Sequence, residues 1–338
     1  MGQSASLPFE FKDITPALTF LQSSQDPRNK SQMNRKCKAL DNIPVYILTL
    51  GSETREAKLK ENFKYILGDD VSRYYYYGVH GRNMWGQQED KKQWNPVHMQ
   101  GLINNGVLSA VSGPSTGALT SAEVAVAFGD LQIMLDVLTQ GHSHALILED
   151  DANLLVTSNE DEVLESEADE PAQKKFITRF KCIMENLPKR FDIVRLGACF
   201  AYKQQNVISL EEQCVGLSIT KADFALCAHG YIISAKACRV ILETVFPLFS
   251  TIDHQIFMIG RECHLNDYDV SPHFLGQDLF LDTSDSTIGY TELEQMVLRV
   301  LHMQKISPER LINMSLYVKQ FLGKSSPPSV MAQLSSLF

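Results

Sequence analysis

The chain has 338 residues, 44% hydrophobic and 21% charged, which excludes disorder throughout, collagen and a coiled coil. Its 31 Lys+Arg against 40 Asp+Glu leave a net charge of −9, without the basic excess that a general nucleic-acid binder carries. At ~150 residues per domain the length fits two domains, or one large α/β domain with appendages.

The N-terminus comes first. Met1-Gly2-Gln3-Ser4-Ala5-Ser6 fits the acceptor pattern for N-myristoylation. Arg28, Lys30, Arg35, Lys36 and Lys38 follow, with Cys37 among them. One acyl chain holds a membrane marginally, and a basic patch or second chain makes the anchor stable. Residues 1–42 therefore read as a flexible arm, either tethered to a membrane surface in a eukaryotic host or simply solvated. No apolar run reaches the ~18 residues of a transmembrane helix, and no signal-peptide layout opens the chain. Seven cysteines (Cys37, Cys182, Cys199, Cys214, Cys227, Cys238, Cys263) form no CxxC pair and are odd in number. They read as reduced, mostly buried thiols of a cytoplasmic protein that is not secreted.

Pro44–Leu50 is a continuous apolar run of the kind that buried parallel strands show. Glu53–Leu67 then predicts a helix with Leu59, Phe63, Ile66 and Leu67 on one side. Arg73–Val79, with four consecutive tyrosines, predicts a second strand. His80–Gly117 is a long connection rich in Gly and Asn, of the length that is functional or contains short helices. Thr120–Thr139 is the next helix, closed by Gly141, and Ala145–Leu148 is a short buried strand. Ser158–Pro171 holds seven acidic residues and no basic one, so it reads as a solvated insertion. Ala172–Leu187 and Ala235–Phe246 are helices, Asp192–Gly197 and Tyr231–Ser234 strands. The alternation predicts an α/β class with a mostly parallel sheet flanked by helices. Thr291–Gln304 and Pro308–Leu322, the latter bounded by Ser307 and Gly323, predict a helical C-terminal extension.

The strand 145–148 ends in Glu149-Asp150-Asp151. Ligands of open α/β sheets bind beyond the carboxyl ends of strands, and three successive carboxylates repel unless something positive stands between them. A divalent cation such as manganese would satisfy oxygen-only donors there; the plain alternative is an acidic turn with no ligand.

Several further stretches carry a resemblance. Val45-Tyr46-Ile47-Leu48-Thr49-Leu50 with Arg55, Leu148–Ala152, Phe191-Asp192-Ile193-Val194-Arg195-Leu196, Ala228–Ala237, Ile252-Asp253-His254, Val270-Ser271-Pro272 with Gln277, and Ser284-Asp285-Ser286 follow in order. Together, from about Val45 to Asp285, the chain resembles the family 25 glycosyltransferases, which include lipooligosaccharide and collagen galactosyltransferases. The resemblance implies a GT-A-type domain over residues 43–289, with residues 290–338 as the extension. It also implies a nucleotide-sugar donor (UDP-galactose or UDP-glucose), a divalent metal, inversion at the anomeric carbon, and a glycan or hydroxylated protein as acceptor. One departure stands out: Gly129-Asp130 occupy the place where the family usually carries Ser-His, so a non-catalytic relative with the same fold is the competing expectation.

Roles follow for individual residues. Asp150 and Asp151 would hold the metal, with Glu149 facing the donor ribose. Thr49, Leu50 and Arg55 lie where a nucleotide would rest, Arg55 offering a permanent charge and a fork for phosphate. Gln277 would contact donor or metal. Asp253 is the candidate base for the acceptor hydroxyl, or else an N-cap for a helix beginning at His254. Arg195, inside an apolar strand, demands a buried carboxylate partner; Tyr231 reads as core more than as sugar contact.

Overall fold

The computed structural model describes residues 14–31, 35–79, 96–109, 119, 121–155, 171–198, 200–210, 216–226 and 229–277. The myristoylation motif, the acidic insertion, both C-terminal helices, and the Ser284–Ser286 motif lie outside the described residues.

Nine of the described strands form one mixed sheet. In chain order the described strands are β1 (Lys36–Cys37), β2 (Ile43–Thr49), β3 (Tyr75–Tyr77), β4 (His144–Glu149), β5 (Ala152–Leu154), β6 (Ile193–Gly197), β7 (Phe200–Ser209), β8 (Ser218–Leu226), β9 (Gly230–Ser234), β10 (Asp267–Ser271) and β11 (Leu275–Gln277). The order across the sheet is β1-β2-β4-β9-β6-β10-β8-β7, with β3 also paired to β2. β2, β3, β4, β6, β7 and β10 run one way and β1, β8 and β9 the other. β5 and β11 form a separate antiparallel pair.

Helices cover both faces, which is why the central strands are apolar at nearly every position. Alternate residues divide cleanly. Tyr46, Ala145, Ile147, Ile193, Tyr231 and Ile233 face α4 (Ser121–Thr139), α6 (Ala235–Thr244) and α7 (Ile252–Glu262). Val45, Ile47, Leu146, Leu148, Val194 and Ile232 face α2 (Glu53–Leu67) and α5 (Ala172–Asn186). The two remaining described helices are α1 (Thr15–Ser23) and α3 (Pro96–Asn104), the latter inside the long connection after β3.

The segment read as an arm carries structure from Thr15 onward. Leu21 of α1 is buried in the core, and the Gln132 carboxamide of α4 donates to the Leu21 carbonyl at 3.0 Å. Part of the basic stretch is also interior. Arg35 is buried with its guanidinium over the rings of Tyr46 (4.8 Å) and Tyr76 (5.1 Å), a cation–π arrangement that gains strength once desolvated. Cys37 is buried beside the Ile66 carbonyl. Cys182 is disulfide-bonded, which corrects the expectation of seven reduced thiols. Cys37, Cys238 and Cys263 are free. Among the described residues no helix is long and apolar enough to cross a membrane.

Candidate functional site

The carboxyl ends of β2, β3 and β4 lie side by side, because these strands are mutually parallel and in register: Leu48 opposite Glu149, and Thr49 opposite Tyr77. Their order, β3-β2-β4, gathers the predicted nucleotide residues along one rim. Thr49 is buried; its Oγ1 accepts the Gly51 N–H at 3.0 Å and lies 3.4 Å from Glu56 Oε1. Leu50 follows, 38% exposed. Gly51 turns the chain into α2 at φ +84°, a left-handed conformation that favours glycine.

Arg55, on the first turn of α2, reaches across to the acidic strand end. Its Nη1 is 2.9 Å from Asp150 Oδ1 and 3.6 Å from Asp151 Oδ2. Burial works against its charge, but the two carboxylates outweigh burial and hold its pKa above the ordinary value. The positive partner that three crowded carboxylates require is thus present in the protein itself. Oxygen donors remain chemically suited to a hard cation. As assembled, however, Arg55 stands against two of them, and among the described residues no three His, Cys, Asp or Glu form a group able to hold a metal. The donor chemistry fits a divalent ion; the arrangement around Arg55 is that of an ion-paired site.

Glu149, the last residue of β4, is half-buried. Burial, then the charges of Asp151, Asp130, Asp253 and Asp150, push its pKa well above the usual carboxylate range. Those neighbours gather carboxyl groups of β4, α4 and α7 around Glu149. Asp130, on α4, is buried; its Oδ1 accepts the Tyr231 hydroxyl at 3.0 Å and its Oδ2 has no partner. Burial raises its pKa to about 7, the Tyr231 hydrogen bond pulling the other way and the Asp253 charge adding to the rise. Tyr231 is therefore core by its ring and part of the site by its hydroxyl. Gly129, next to Asp130, lets α4 lie close on β2: a Cβ there would fall 2.4 Å from Leu48 Cδ1.

Asp253 is buried in the first turn of α7, not before it. The helix starts at Ile252 behind Thr251, so the N-cap alternative for Asp253 does not hold. Its charge is felt at Glu149, Asp130, Arg195 and His229, so Asp253 lies within electrostatic reach of the acidic strand end. Arg195 has the buried partner it demands: Nε to Asp267 Oδ1 at 3.3 Å and Nη2 to Asp267 Oδ2 at 2.9 Å. Beyond it, His273 Nε2 is 2.9 Å from Asp269 Oδ1. The Asp269 Oδ2 and the buried His229 Nδ1 have no partner.

Gln277 arrives through backbone pairing, since β11 places it opposite Ala152, immediately after the acidic motif. Asn62 of α2 donates to Asn153 Oδ1 at 2.8 Å and ties the Arg55 helix to the same loop. Sequence reading missed Asp130 as a site group, along with His229, Asp269 and His273. The only local signal was a charged or polar residue inside otherwise apolar surroundings, as at Asp130 within Ala125–Met134. No protein-family model matches the chain, and comparison with curated proteins finds no significant relative.

Proposed function

We propose that the protein is a glycosyltransferase of GT-A type that moves a hexose from a UDP-sugar to an acceptor hydroxyl with inversion. The observation that carries this reading is the meeting of a cationic fork (Arg55) with an acidic strand end (Glu149, Asp150, Asp151), within electrostatic reach of a separate buried carboxylate (Asp253). Each has a distinct task. Arg55 supplies permanent charge and paired donors for a diphosphate. Thr49 and Leu50 form the floor under the nucleoside, and Glu149 faces its ribose. Gln277 closes the side formed by β11. Asp253 takes the proton of the acceptor hydroxyl, and its neighbour Arg195 compensates the buried negative charge on that side. Asp150 and Asp151 are the residues that would hold manganese or another divalent ion, whose chemistry is to neutralise charge on the departing diphosphate.

Thermal unfolding with and without UDP plus manganese tests the reading. At a hundredfold excess over Kd the native state should gain roughly 2.7 kcal/mol. In a sugar-release assay Asp253→Asn should slow turnover by ~100-fold or more while UDP still binds. Unaltered protein that binds no UDP with any divalent ion rejects the proposal.

A second reading, a non-catalytic relative that keeps the fold as a binding or structural protein, is favoured by one specific observation. Arg55 already pairs with Asp150 and Asp151, so the acidic end has a cationic partner without a ligand. UDP binding without turnover on any sugar donor would put this reading first.

A further inference from the structure

The N-terminal segment reaches the same rim. Arg28 lies in the short turn Pro27–Ser31, and its guanidinium carbon is 3.5 Å from the centroid of the Tyr77 ring. The stack is held from behind: Asp26 takes Arg28 Nε at 3.0 Å and Nη2 at 2.9 Å. Asn29, the next residue, accepts the Tyr77 N–H at 2.8 Å and donates to the Tyr77 carbonyl at 2.9 Å. Arg28 is still 55% exposed, so the stack is fixed in place yet open to solvent. A Cβ built on Gly51 would stand 3.8 Å from Arg28 Nη1 and 3.9 Å from Tyr77 Cε1, so the stack borders the turn that follows Thr49 and Leu50.

Position gives this feature its meaning. Asp150 and Asp151 follow β4, Thr49 ends β2 with Leu50 next to it, and Tyr77 ends β3. Neighbouring strands are ~4.8 Å apart, so Tyr77 lies about two strand spacings, ~10 Å, from the acidic end. A nucleotide with its diphosphate at Arg55 and its ribose over β2 brings its base to β3. We infer that Arg28, stacked on Tyr77, is the wall against which the nucleobase of the donor packs, so that the N-terminal segment completes the nucleotide site. The inference rests on the nucleotide-donor reading above. Its chemistry is planar contact: a guanidinium lies flat on aromatic rings, and an exposed plane beside Leu50 offers a heterocycle one polar and one apolar neighbour.

Calorimetry of the full chain with UDP and with pyrophosphate, each with manganese, tests it. Arg28 is exposed and outside the core, so Arg28→Ala should leave folding intact. That variant should bind UDP about tenfold more weakly or worse, the scale of one lost base-stacking contact, and should bind pyrophosphate as the unaltered chain does. Arg28→Lys, which keeps the charge and loses the plane, should behave like Arg28→Ala. Unchanged UDP affinity in Arg28→Ala overturns the inference. So does an equal loss for pyrophosphate, or full rescue by lysine, because either would mean that Arg28 acts by charge alone. An unaltered chain that binds pyrophosphate and not UDP also overturns it; one that binds neither removes the donor reading beneath it.

Discussion

On the face of the sheet covered by α2 and α5, Phe63, Phe176, Phe180 and Phe274 pack ring against ring with centroids 5.3–6.2 Å apart. The opposite face, under α4, α6 and α7, is not uniformly apolar. It buries Asp130, Arg195, Asp253, Asp267 and Asp269. Burying a polar group without a partner costs roughly 2–7 kcal/mol, and three such atoms (Asp130 Oδ2, His229 Nδ1 and Asp269 Oδ2) are unpartnered on or beside that face. Stability alone would have replaced them with leucine. One face holds the sheet together, and the other gives up part of that stability to position charge.

The contrast can be broken most forcefully at Arg195. Asp267→Ala strands a buried guanidinium and should cost about 3–5 kcal/mol in denaturant unfolding, whereas Arg195→Met with Asp267→Leu should recover most of the loss. Phe180→Ala, on the apolar face, should cost a similar ~3–5 kcal/mol through its cavity. No single partner substitution should restore it.

A second test uses pH. The folded state keeps the Asp130 proton up to about pH 7, while the unfolded chain releases it near ~3.9. A carboxyl raised in this way adds stability that is present at low pH and lost as pH rises through the folded value. Glu149 acts in the same direction and His229, held neutral by burial with its pKa lowered to about 3, in the opposite one. The difference between variants isolates Asp130. Asp130→Asn, whose Oδ1 can still accept from Tyr231, should match the unaltered protein near pH 4. It should gain on it between pH 4 and 7, by at most about 4 kcal/mol at 1.36 kcal/mol per pKa unit. Urea midpoints across pH 4–8 measure this, and parallel curves would contradict it.

Smaller effects sharpen the comparison. Gly129→Ser forces its Cβ against Leu48 and should cost ~1–3 kcal/mol in unfolding experiments. Lys236→Ala removes an exposed partner of Asp192, whose carboxylate keeps the Ser234 hydroxyl and the Asn266 N–H. It should cost less than ~1 kcal/mol.

Much of the apolar architecture was legible in the residues themselves. The helix predicted over Glu53–Leu67 has those bounds, because its buried Leu59, Phe63, Ile66 and Leu67 repeat at helical spacing. β2, β4 and β9 were visible as uninterrupted apolar runs. β10 was not: Asp267-Tyr268-Asp269-Val270-Ser271 looks like a loop until Arg195 is known to lie beside it. The tyrosine-rich stretch Arg73–Val79 was only half legible, since Val71–Tyr74 forms a 3-10 turn and the strand is confined to Tyr75–Tyr77. At the site, Glu149–Asp151 could be found because a strand end exposes them together. Asp130, Asp253 and His229 come together only through strand order and helix packing, which no local pattern encodes.

The Asn29 carboxamide has a consequence beyond the ligand rim. Among the described strands β3 pairs with β2 alone, so its other side faces no described strand. An edge with unmet N–H and C=O groups is a template on which a second molecule can add a strand. Asn29 fills the hydrogen-bonding positions of Tyr77 with a side chain that cannot be extended into another strand. The segment before β1 is therefore also a stopper at Tyr77, occupying with a side chain the N–H and C=O that a further strand would need there.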